Sequence, residues 1–285
     1  MSAIAIRRIA RIGLTVADLD ASVGFFGSAM GFREVARERR AGRHFSEAVG
    51  LASAVADVVI MRLGSQEIEL TSFLPPGRRY PAERRADDPW FQHFAIVVSD
   101  MAAAYAMLGG HAGWTAISTG GPQLLPPETG GIVAFKFRDP DGHPLELSCF
   151  PPAVAGAWND VRSDTPFLGL DHSALGVLNS NESKAFYVDQ LDFRPTGFQV
   201  NEGPAQDRLD GLPGVAVEIT SLGTAEPGPH IELLGYRHHE SAVADVAAND
   251  IASTRLILER GGPGSGCSIR DPNGHLLEVR ALGSC

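Results

Sequence analysis

The sequence predicts an α+β protein built from four tandem βαβββ modules, the last of them shortened. Three observations predict this class. A ten-residue stretch occurs twice, beginning at Arg138 and at Arg270. Four alternating segments lead into helices capped by Asp or Asn, and four strand-like segments each carry a single glutamate. Such repetition is typical of a fold assembled from copies of one supersecondary structure.

The repeated stretch is a turn followed by a strand. It reads Asp139-Pro-Asp-Gly-His in the first copy and Asp271-Pro-Asn-Gly-His in the second. Proline presets φ, Asp or Asn tolerates the left-handed region and glycine supplies positive φ, so each copy favours a tight hairpin. The following strands carry Glu146 and Glu278. A carboxylate within an otherwise apolar strand must be solvated, paired or bound to a cation, so both glutamates are candidate site residues.

Each module begins with a strand that leads into a helix. We call the start of each alternating segment its first position, and the four first positions are Arg11, His93, His172 and Val243. Apolar residues then recur at helical spacing, and glycines follow where the helices should end. In the first three modules, small residues share the strand face of the first position, whereas the opposite face is bulky. We therefore expect the first-position side chains to face a cavity and the bulky face to pack under the helix.

Each module ends with a strand that carries one glutamate. These residues are Glu69, Glu146, Glu232 and Glu278. The first three modules have room for a strand, a helix and three more strands, whereas the fourth is too short by about one strand. The Pro- and Ala-rich stretch between modules 2 and 3 is typical of a linker. The predicted domains are residues 1–150 with modules 1 and 2, a linker over 151–168, and residues 169–285 with module 3 and the shortened module 4.

The composition excludes several classes of partner. The net charge of −10 argues against nucleic acid, because proteins that bind the phosphate backbone carry a basic face. No apolar run is long enough to span a membrane, and the N-terminus lacks the apolar core of a signal peptide. The three cysteines show no paired spacing, so we expect reduced thiols in a cytoplasmic protein.

Paired βαβββ units with histidine on the first strand and glutamate on the last resemble the vicinal oxygen chelate superfamily. Its members include glyoxalase I, extradiol ring-cleavage dioxygenases and bleomycin-resistance proteins. The resemblance covers nearly the whole chain, and segment 139–146 is a frequent ending in the superfamily. It implies that two modules curl into one glyoxalase-like, cup-shaped domain, and we expect modules 1 and 2 to form one cup and modules 3 and 4 the other. It also implies a divalent metal held by first positions and last-strand glutamates.

The N-terminal cup would then contain Arg11, Glu69, His93 and Glu146. One imidazole and two carboxylates suit Zn, Ni, Mn, Fe or Co. Arginine has no lone pair and cannot be a ligand. Two arrangements are open. A metal could bind His93, Glu69 and Glu146 while Arg11 holds an anionic group of the substrate, or Arg11 could pair with one glutamate and take the place of the cation.

The C-terminal cup would contain His172, Glu232, Val243 and Glu278. Extradiol dioxygenases of the superfamily hold iron or manganese with two histidines and one glutamate. His172 and Glu278 match two of these ligands, whereas Val243 stands at the second histidine. His238 and His239 lie a few residues upstream and are candidate replacements. His172, Glu232 and Glu278 form a further three-ligand set.

The leading hypothesis for function is a metal-dependent, glyoxalase-like enzyme with lyase or isomerase chemistry in the N-terminal cup. The metal would bind two oxygens of a small substrate and stabilise an enediolate-like charge, while Glu146 or Glu69 moves the proton. One alternative is an extradiol dioxygenase that uses the C-terminal domain. The other is a metal-free small-molecule binding protein of the bleomycin-resistance type. We expect a small-molecule substrate and no nucleic-acid or membrane partner, and a homodimer is compatible with the sequence.

Overall fold

The structure is a computed structural model that describes residues 4–89, 92–237, 245–262 and 266–281. It has the predicted α+β class, with four modules in chain order. Module 1 contains β1 (Ile6–Thr15), α1 (Leu19–Met30), β2 (Arg33–Ala41), α2 (Arg43–Val49), β3 (Val55–Leu63) and β4 (Gln66–Leu74). Module 2 contains β5 (Gln92–Val98), α3 (Met101–Gly109), β6 (Thr115–Ala116), β7 (Gln123–Leu124), a 3-10 turn (Pro127–Thr129), β8 (Val133–Arg138) and β9 (Pro144–Cys149).

The second half of the chain repeats this order with losses in the last module. A 3-10 turn (Gly156–Asp160) precedes module 3. Module 3 contains β10 (Phe167–Gly176), α4 (Ser180–Ala185), a π-helical turn (Phe186–Gln190), β11 (Arg194–Glu202), α5 (Pro204–Asp210), β12 (Ala216–Gly223) and β13 (His230–Tyr236). The described part of module 4 contains β14 (Arg255–Arg260), β15 (Cys267–Arg270) and β16 (Leu276–Ala281).

The helices are short and begin where the sequence predicts. Side-chain oxygens of Asp18, Asp100 and Asn179 accept hydrogen bonds from backbone N–H groups in the first turns of α1, α3 and α4. Such capping satisfies donors that have no partner within the helix. Among the described residues, no helix has the length and apolar character needed to cross a lipid bilayer.

The two sheets pair the modules in a different order from the one expected. One sheet has the order β15-β16-β14-β1-β4-β3-β2 and joins module 4 to module 1. The other has the order β11-β12-β13-β10-β5-β9-β8-β6 and joins module 3 to module 2, with β7 paired to β8. The expectation that modules 1 and 2 share one cup, and modules 3 and 4 the other, is therefore wrong for the sheets. We call the two assemblies the 1/4 cup and the 2/3 cup.

The pairing was not predictable from the module pattern. The antiparallel joints are β1 with β14 and β5 with β10, so first strand meets first strand in both sheets. Any pairing of two first strands would satisfy the same backbone groups and bury the same kind of face. The pattern within one module therefore does not distinguish one partner module from another.

Module 4 departs from the prediction at its start. Val243, His238 and His239 lie outside the described residues. Residues 245–254 form turns without a described helix or strand, and β14 begins at Arg255. The prediction of a helix in module 4 is wrong for the described residues, because the turns lead directly into β14. Residues 256–258 are an unbroken apolar run buried on both faces between β1 and β16, and such a run has no strand alternation to identify it.

The predicted division of the first strands into two faces is confirmed. Phe94, Ile96 and Val98 of β5 lie in the main hydrophobic core, which also contains Phe26 of α1. The rings of Phe26 and Phe94 stack with centroids 6.4 Å apart. The opposite face, with His93, lines the 2/3 cup. The core thus lies behind the cups and holds both sheets together.

The repeated turn ties consecutive modules together. In the first copy, His143 is buried, and its Nε2 donates to the carbonyl oxygens of Thr15 (3.0 Å) and Ile251 (3.1 Å). Its Nδ1 faces Asp139 Oδ2 at 2.8 Å. Burial lowers the pKa of His143, but the Asp139 carboxylate outweighs this effect and raises it. Both ring nitrogens act as donors, so His143 is an imidazolium that connects module 2 to modules 1 and 4.

The second copy of the turn makes the corresponding contacts. His275 Nε2 lies 2.8 Å from the carbonyl oxygen of Gly176, at the end of β10. The backbone N–H of Leu178 donates to Asn273 Oδ1 (2.9 Å), as that of Ala17 donates to Asp141 Oδ2 (2.8 Å) in the first copy. The sheets thus join modules 1 with 4 and 2 with 3, while the turns join 1 with 2 and 3 with 4.

Candidate metal centre

The strand register shows which residues are equivalent in the four modules. Each last-strand glutamate lies opposite a residue of the first strand, and these partners are Gly13 for Glu69, Ala95 for Glu146, Ala174 for Glu232 and Ile257 for Glu278. The first position lies two residues earlier on the same face. It is therefore Arg11, His93, His172 and Arg255 in modules 1 to 4. The assignment of Val243 to this position was wrong, because β14 begins later than expected.

The 2/3 cup brings together two histidines and two glutamates. His93 Nε2 lies 3.4 Å from Glu146 Oε2, and His172 Nε2 lies 3.5 Å from Glu232 Oε2. The two imidazole rings meet edge to face with centroids 5.7 Å apart. Both histidines and Glu146 are buried. All four side chains line one cavity, which they reach from β5, β9, β10 and β13.

These residues fit a divalent metal ion. One donor atom from each of His93, Glu146 and His172 lies within 4.8 Å of the other two. Donors bound about 2.1 Å from a tetrahedral metal are about 3.4 Å apart, which is close to both measured N···O distances. None of the described residues forms a hydrogen bond with His172 Nε2, although this atom is buried. Without its proton, this nitrogen would present a buried lone pair that has no donor, and a bound cation would satisfy it.

Neighbouring groups orient two of the candidate ligands. His172 Nδ1 donates to Asp171 Oδ2 at 3.0 Å, and Trp158 Nε1 donates to Asp171 Oδ1 at 3.1 Å. This arrangement turns His172 Nε2 towards Glu232. Carboxylates orient metal-bound histidines in the same way, by accepting a hydrogen bond from the ring nitrogen that does not bind the metal. Ser148 Oγ donates to Glu146 Oε1 at 2.6 Å, so the other oxygen, Oε2, faces His93.

The electrostatics of the cup differ between the two histidines. Burial, reinforced by the charges of Lys136 and His172, lowers the pKa of His93 well below its usual value. Burial also acts against a charge on His172, but Glu232 and Asp171 outweigh it and raise this pKa to about 9. Burial acts against a charge on Glu232 too, yet His172 lowers the pKa of this carboxyl group. A metal at this point would take over the role of the His172 proton.

Lys136 is a second cation in the same cup. It lies on β8 directly opposite Glu146, and its Nζ is 3.8 Å from Glu146 Oε2 and 2.6 Å from Asp210 Oδ1. Asp210 also accepts hydrogen bonds from Gln206 Nε2 (2.7 Å) and Tyr236 OH (3.3 Å). Burial acts against the charge of Lys136, but Asp210 and Glu146 raise its pKa. Lys136 is therefore an ammonium group fixed beside the candidate ligands.

A cavity of about 80 Å³ lies in front of these groups. The candidate ligands and Lys136 line this cavity, and Leu125, Ile132 and Phe150 contribute apolar surface to it. The 2/3 cup is therefore a small pocket with a charged interior.

The 1/4 cup contains arginines where the 2/3 cup has histidines. Glu69 is fully buried at its centre and accepts hydrogen bonds from Arg40 to Oε1 (2.9 Å) and Oε2 (3.0 Å). Arg255 Nη2 lies 3.2 Å from Oε1, whereas Arg280 Nη2 and Arg11 Nη1 lie 3.5 and 3.9 Å from Oε2. Burial would raise the pKa of Glu69, but Arg255, Arg280 and Arg40 lower it to about 2.

Arg255 occupies the space that a ligand would need in the 1/4 cup. A Cβ atom at Gly13 would lie 2.8 Å from Arg255 Cγ, so the arginine runs directly over the glycine. Its guanidinium group donates to Thr15 and Thr71. Glu278 is paired with Arg280 at 2.8 Å. With both carboxylates paired and no imidazole at either first position, these residues do not fit a divalent metal.

The structure regroups the residues predicted for the two sites. His93 and Glu146 lie in one sheet and Arg11 and Glu69 in the other, so the predicted N-terminal set is not brought together. The sets that combine His172 with Glu278 are separated in the same way. Of the two arrangements left open for Arg11, the structure shows ion pairing. Its Nε donates to Glu67 Oε2 at 2.8 Å, and its Nη1 approaches Glu69.

Sequence reasoning did not find Lys136, Asp171, His230 and Arg255. His230 Nε2 lies 3.6 Å from Glu232 Oε1. The signal for His230 was its position two residues before Glu232, which places both on one strand face. Lys136 could not be found in this way, because its pairing with Glu146 depends on the register of β8 against β9.

Comparison with known proteins agrees with this geometry. The family model of the Glyoxalase/Bleomycin resistance protein/Dioxygenase superfamily matches residues 8–147. Residues 8–147 of the chain belong to this superfamily. No curated protein matches the sequence.

Solved structures of the superfamily share the fold over nearly the whole chain. A variant of glyoxalase I from Zea mays is 15% identical, with a TM-score of 0.61, over 96% of this chain and 94% of that chain. A proposed dioxygenase from Bacillus subtilis is 13% identical, with a TM-score of 0.60, over 99% of this chain and 87% of the other. At such identities the likeness shows the fold alone, so the chemistry must be argued from the cups.

Proposed function

We propose that the protein is a metal-dependent, glyoxalase-like enzyme whose active site is the 2/3 cup. The observation that carries this proposal is the cluster of His93, Glu146 and His172, whose donor atoms lie within 4.8 Å of one another. Glu232 adds a second carboxylate, 3.5 Å from His172 Nε2. The substrate would be a small molecule that offers two neighbouring oxygens. The reaction would be of the lyase or isomerase type, in which a proton moves between adjacent carbons.

The roles of the residues follow from their surroundings. His93, His172 and Glu232 would hold the metal together with Glu146, and the bound metal would supply Lewis-acid polarisation of the substrate oxygens. Glu146 is the better proton carrier. Ser148 Oγ donates to Oε1 of Glu146 and fixes this oxygen. Oε2 of Glu146 lies 3.4 Å from His93 Nε2, and both residues line the cavity. Glu232 is engaged by His172 and His230 on its two oxygens. Glu69 takes no part, because it lies in the other sheet.

Elemental analysis of protein purified without chelators tests the proposal. We expect about one divalent metal ion per chain, lost in His93→Ala and in His172→Ala. His111→Ala is the matched control, since this half-buried histidine contacts Met107 on α3, away from both cups. Absence of divalent metal from the wild-type protein, even after incubation with Zn, Ni, Mn, Fe or Co, would overturn the proposal. It would favour the metal-free binding protein instead.

A ring-cleaving dioxygenase is the second candidate. Two histidines with one carboxylate also make an iron site with open positions for oxygen and substrate. His93, His172 and Glu146 supply that set, and Lys136 lies 3.8 Å from Glu146 Oε2. This alternative predicts oxygen uptake by the Fe(II)-loaded protein with catechol-type substrates. A lack of uptake alongside activity with Zn or Ni would exclude it.

A further inference from the structure

We propose that Lys136 is the residue that selects the substrate of the 2/3 cup, and that it binds a carboxylate next to the metal-binding oxygen. The substrate would then be a small 2-oxo or 2-hydroxy carboxylate, not a neutral carbonyl compound. This inference rests on the proposed metal site, because the oxygen next to the carboxylate would bind to the metal.

The position of Lys136 is unusual within the repeat. Besides its partner on the first strand, each last-strand glutamate has one partner on the neighbouring antiparallel strand, and in modules 1, 3 and 4 these partners are Ile60, Ser221 and Ser268. Only module 2 has a charged side chain there. The chain has two lysines among 24 basic residues, and the other, Lys184, lies in α4.

The choice of lysine is informative because the other cup uses arginine. Arginine pairs with carboxylates through a planar fork, as Arg40 does with Glu69. Lysine is a compact charge that leaves space beside it. Lys136 lines the cavity, whereas Arg255 fills the 1/4 cup over Gly13. The 2/3 cup thus keeps a cation and an open volume together.

Lys136 Nζ is held between two carboxylates, 2.6 Å from Asp210 Oδ1 and 3.8 Å from Glu146 Oε2. Asp210 accepts from Lys136 on Oδ1, but its Oδ2 accepts from Gln206 and Tyr236. These two donors share the negative charge of the carboxylate. The contact with Asp210 fixes the side chain of Lys136. The backbone of Lys136 is fixed as well, because its N–H donates to Ser118 Oγ at 2.8 Å. Lys136 is therefore a preorganised cation in the wall of the cavity.

The arrangement of charges matches a carboxylate beside a second oxygen. Glu146 Oε2 lies between the two parts of the site, 3.4 Å from His93 Nε2 and 3.8 Å from Lys136 Nζ. A molecule bound at the candidate ligands therefore also meets Lys136. A cavity of about 150 Å³ can hold a benzene ring, so 80 Å³ admits only a few non-hydrogen atoms. A carboxylate with its adjacent oxygenated carbon is a group of this size.

The test compares two probes on metal-loaded protein. Oxalate and acetohydroxamate both chelate a metal through two neighbouring oxygens. Oxalate carries carboxylate groups, whereas acetohydroxamate has none. Calorimetry gives the ratio of their dissociation constants. The key variant is Lys136→Met with Asp210→Asn, which removes both charges of the pair and leaves no buried charge alone. Lys136→Arg, which keeps the charge, is the matched control.

We expect the double variant to retain its metal and to lose at least tenfold in oxalate affinity relative to acetohydroxamate, as for loss of a charge-assisted hydrogen bond. Lys136→Arg should keep most of the preference for oxalate. An unchanged affinity ratio in a double variant that still holds its metal would overturn this inference alone. A wild-type protein that binds no metal would overturn the proposed function and this inference with it.

Discussion

The two cups pair equivalent first and last strands in the same register, yet they differ at their first positions. In the 2/3 cup the first positions are His93 and His172, and a cavity remains in front of them. In the 1/4 cup they are Arg11 and Arg255, whose guanidinium groups pair with Glu67 and Glu69. The difference teaches that a repeated glutamate does not define the chemistry of a cup. The residue that faces it decides whether the charge is available to a ligand or is neutralised within the protein.

The largest expected effect is at the buried glutamate of the 1/4 cup. Glu69→Gln leaves Arg255, Arg40 and Arg280 without their shared carboxylate, so we expect a loss of about 3–5 kcal/mol in the free energy of unfolding. Urea denaturation measures this loss. The matched variant in the 2/3 cup, Glu232→Gln, should change stability much less and should lower metal content instead. Equal losses of stability in both variants would remove the distinction between the cups.

The second effect concerns the carboxylate behind His172. Asp171→Asn removes the charged acceptor of His172 Nδ1, and we expect metal affinity to fall by about 10- to 100-fold. Competition with a chelator of known affinity measures the change. Asp100→Asn, in which a helix-capping carboxylate becomes another capping side chain, is the control. Metal affinity that is equal in Asp171→Asn and wild type would show that Asp171 does not orient the ligand.

The third effect comes from substitutions of the first-strand residue that lies opposite the last-strand glutamate. Gly13→Ala places a methyl group 2.8 Å from Arg255 Cγ, and we expect a loss of about 1–3 kcal/mol in unfolding free energy. The equivalent residue of module 2 is already alanine, Ala95. Removing that methyl group in Ala95→Gly should cost about 0.5–1 kcal/mol through backbone entropy. If Gly13→Ala proves as stable as wild type, Arg255 does not fill the 1/4 cup in the way described.

The fold was largely predictable and the composition of the sites was not. The caps at Asp18, Asp100 and Asn179 and the recurrent last-strand glutamates are local patterns, and both were found in the sequence. The choice of partner modules depends on contacts between distant strands, which no local pattern encodes. The first position of module 4 was missed because Arg255 precedes an apolar run without alternation. The sequence therefore assigned His93 and His172 to different cups, whereas the structure places them in one sheet.

The smallest expected effect concerns the turn that links the cups. The pKa of His143 is raised in the folded state, so its stabilising contribution is complete below its unfolded value of about 6.5. That contribution is lost as the pH rises through the folded-state pKa. The difference in unfolding free energy between wild type and His143→Gln should therefore shrink with rising pH.

A second variant checks the origin of this pH dependence. Asp139→Asn removes the carboxylate that faces His143 Nδ1, so it should flatten the same part of the pH profile of stability. Combining it with His143→Gln should produce little further change in the profile. A difference between wild type and His143→Gln that grows with pH would contradict the imidazolium assignment.

Anomalous diffraction from crystals grown with Zn or Ni would test the difference between the cups most directly. We predict one strong metal peak per chain, within bonding distance of His93, Glu146, His172 and Glu232, and none beside Glu69 in the 1/4 cup. A peak coordinated by Glu69 or Glu278, or the absence of any peak at the four residues of the 2/3 cup, would contradict the account.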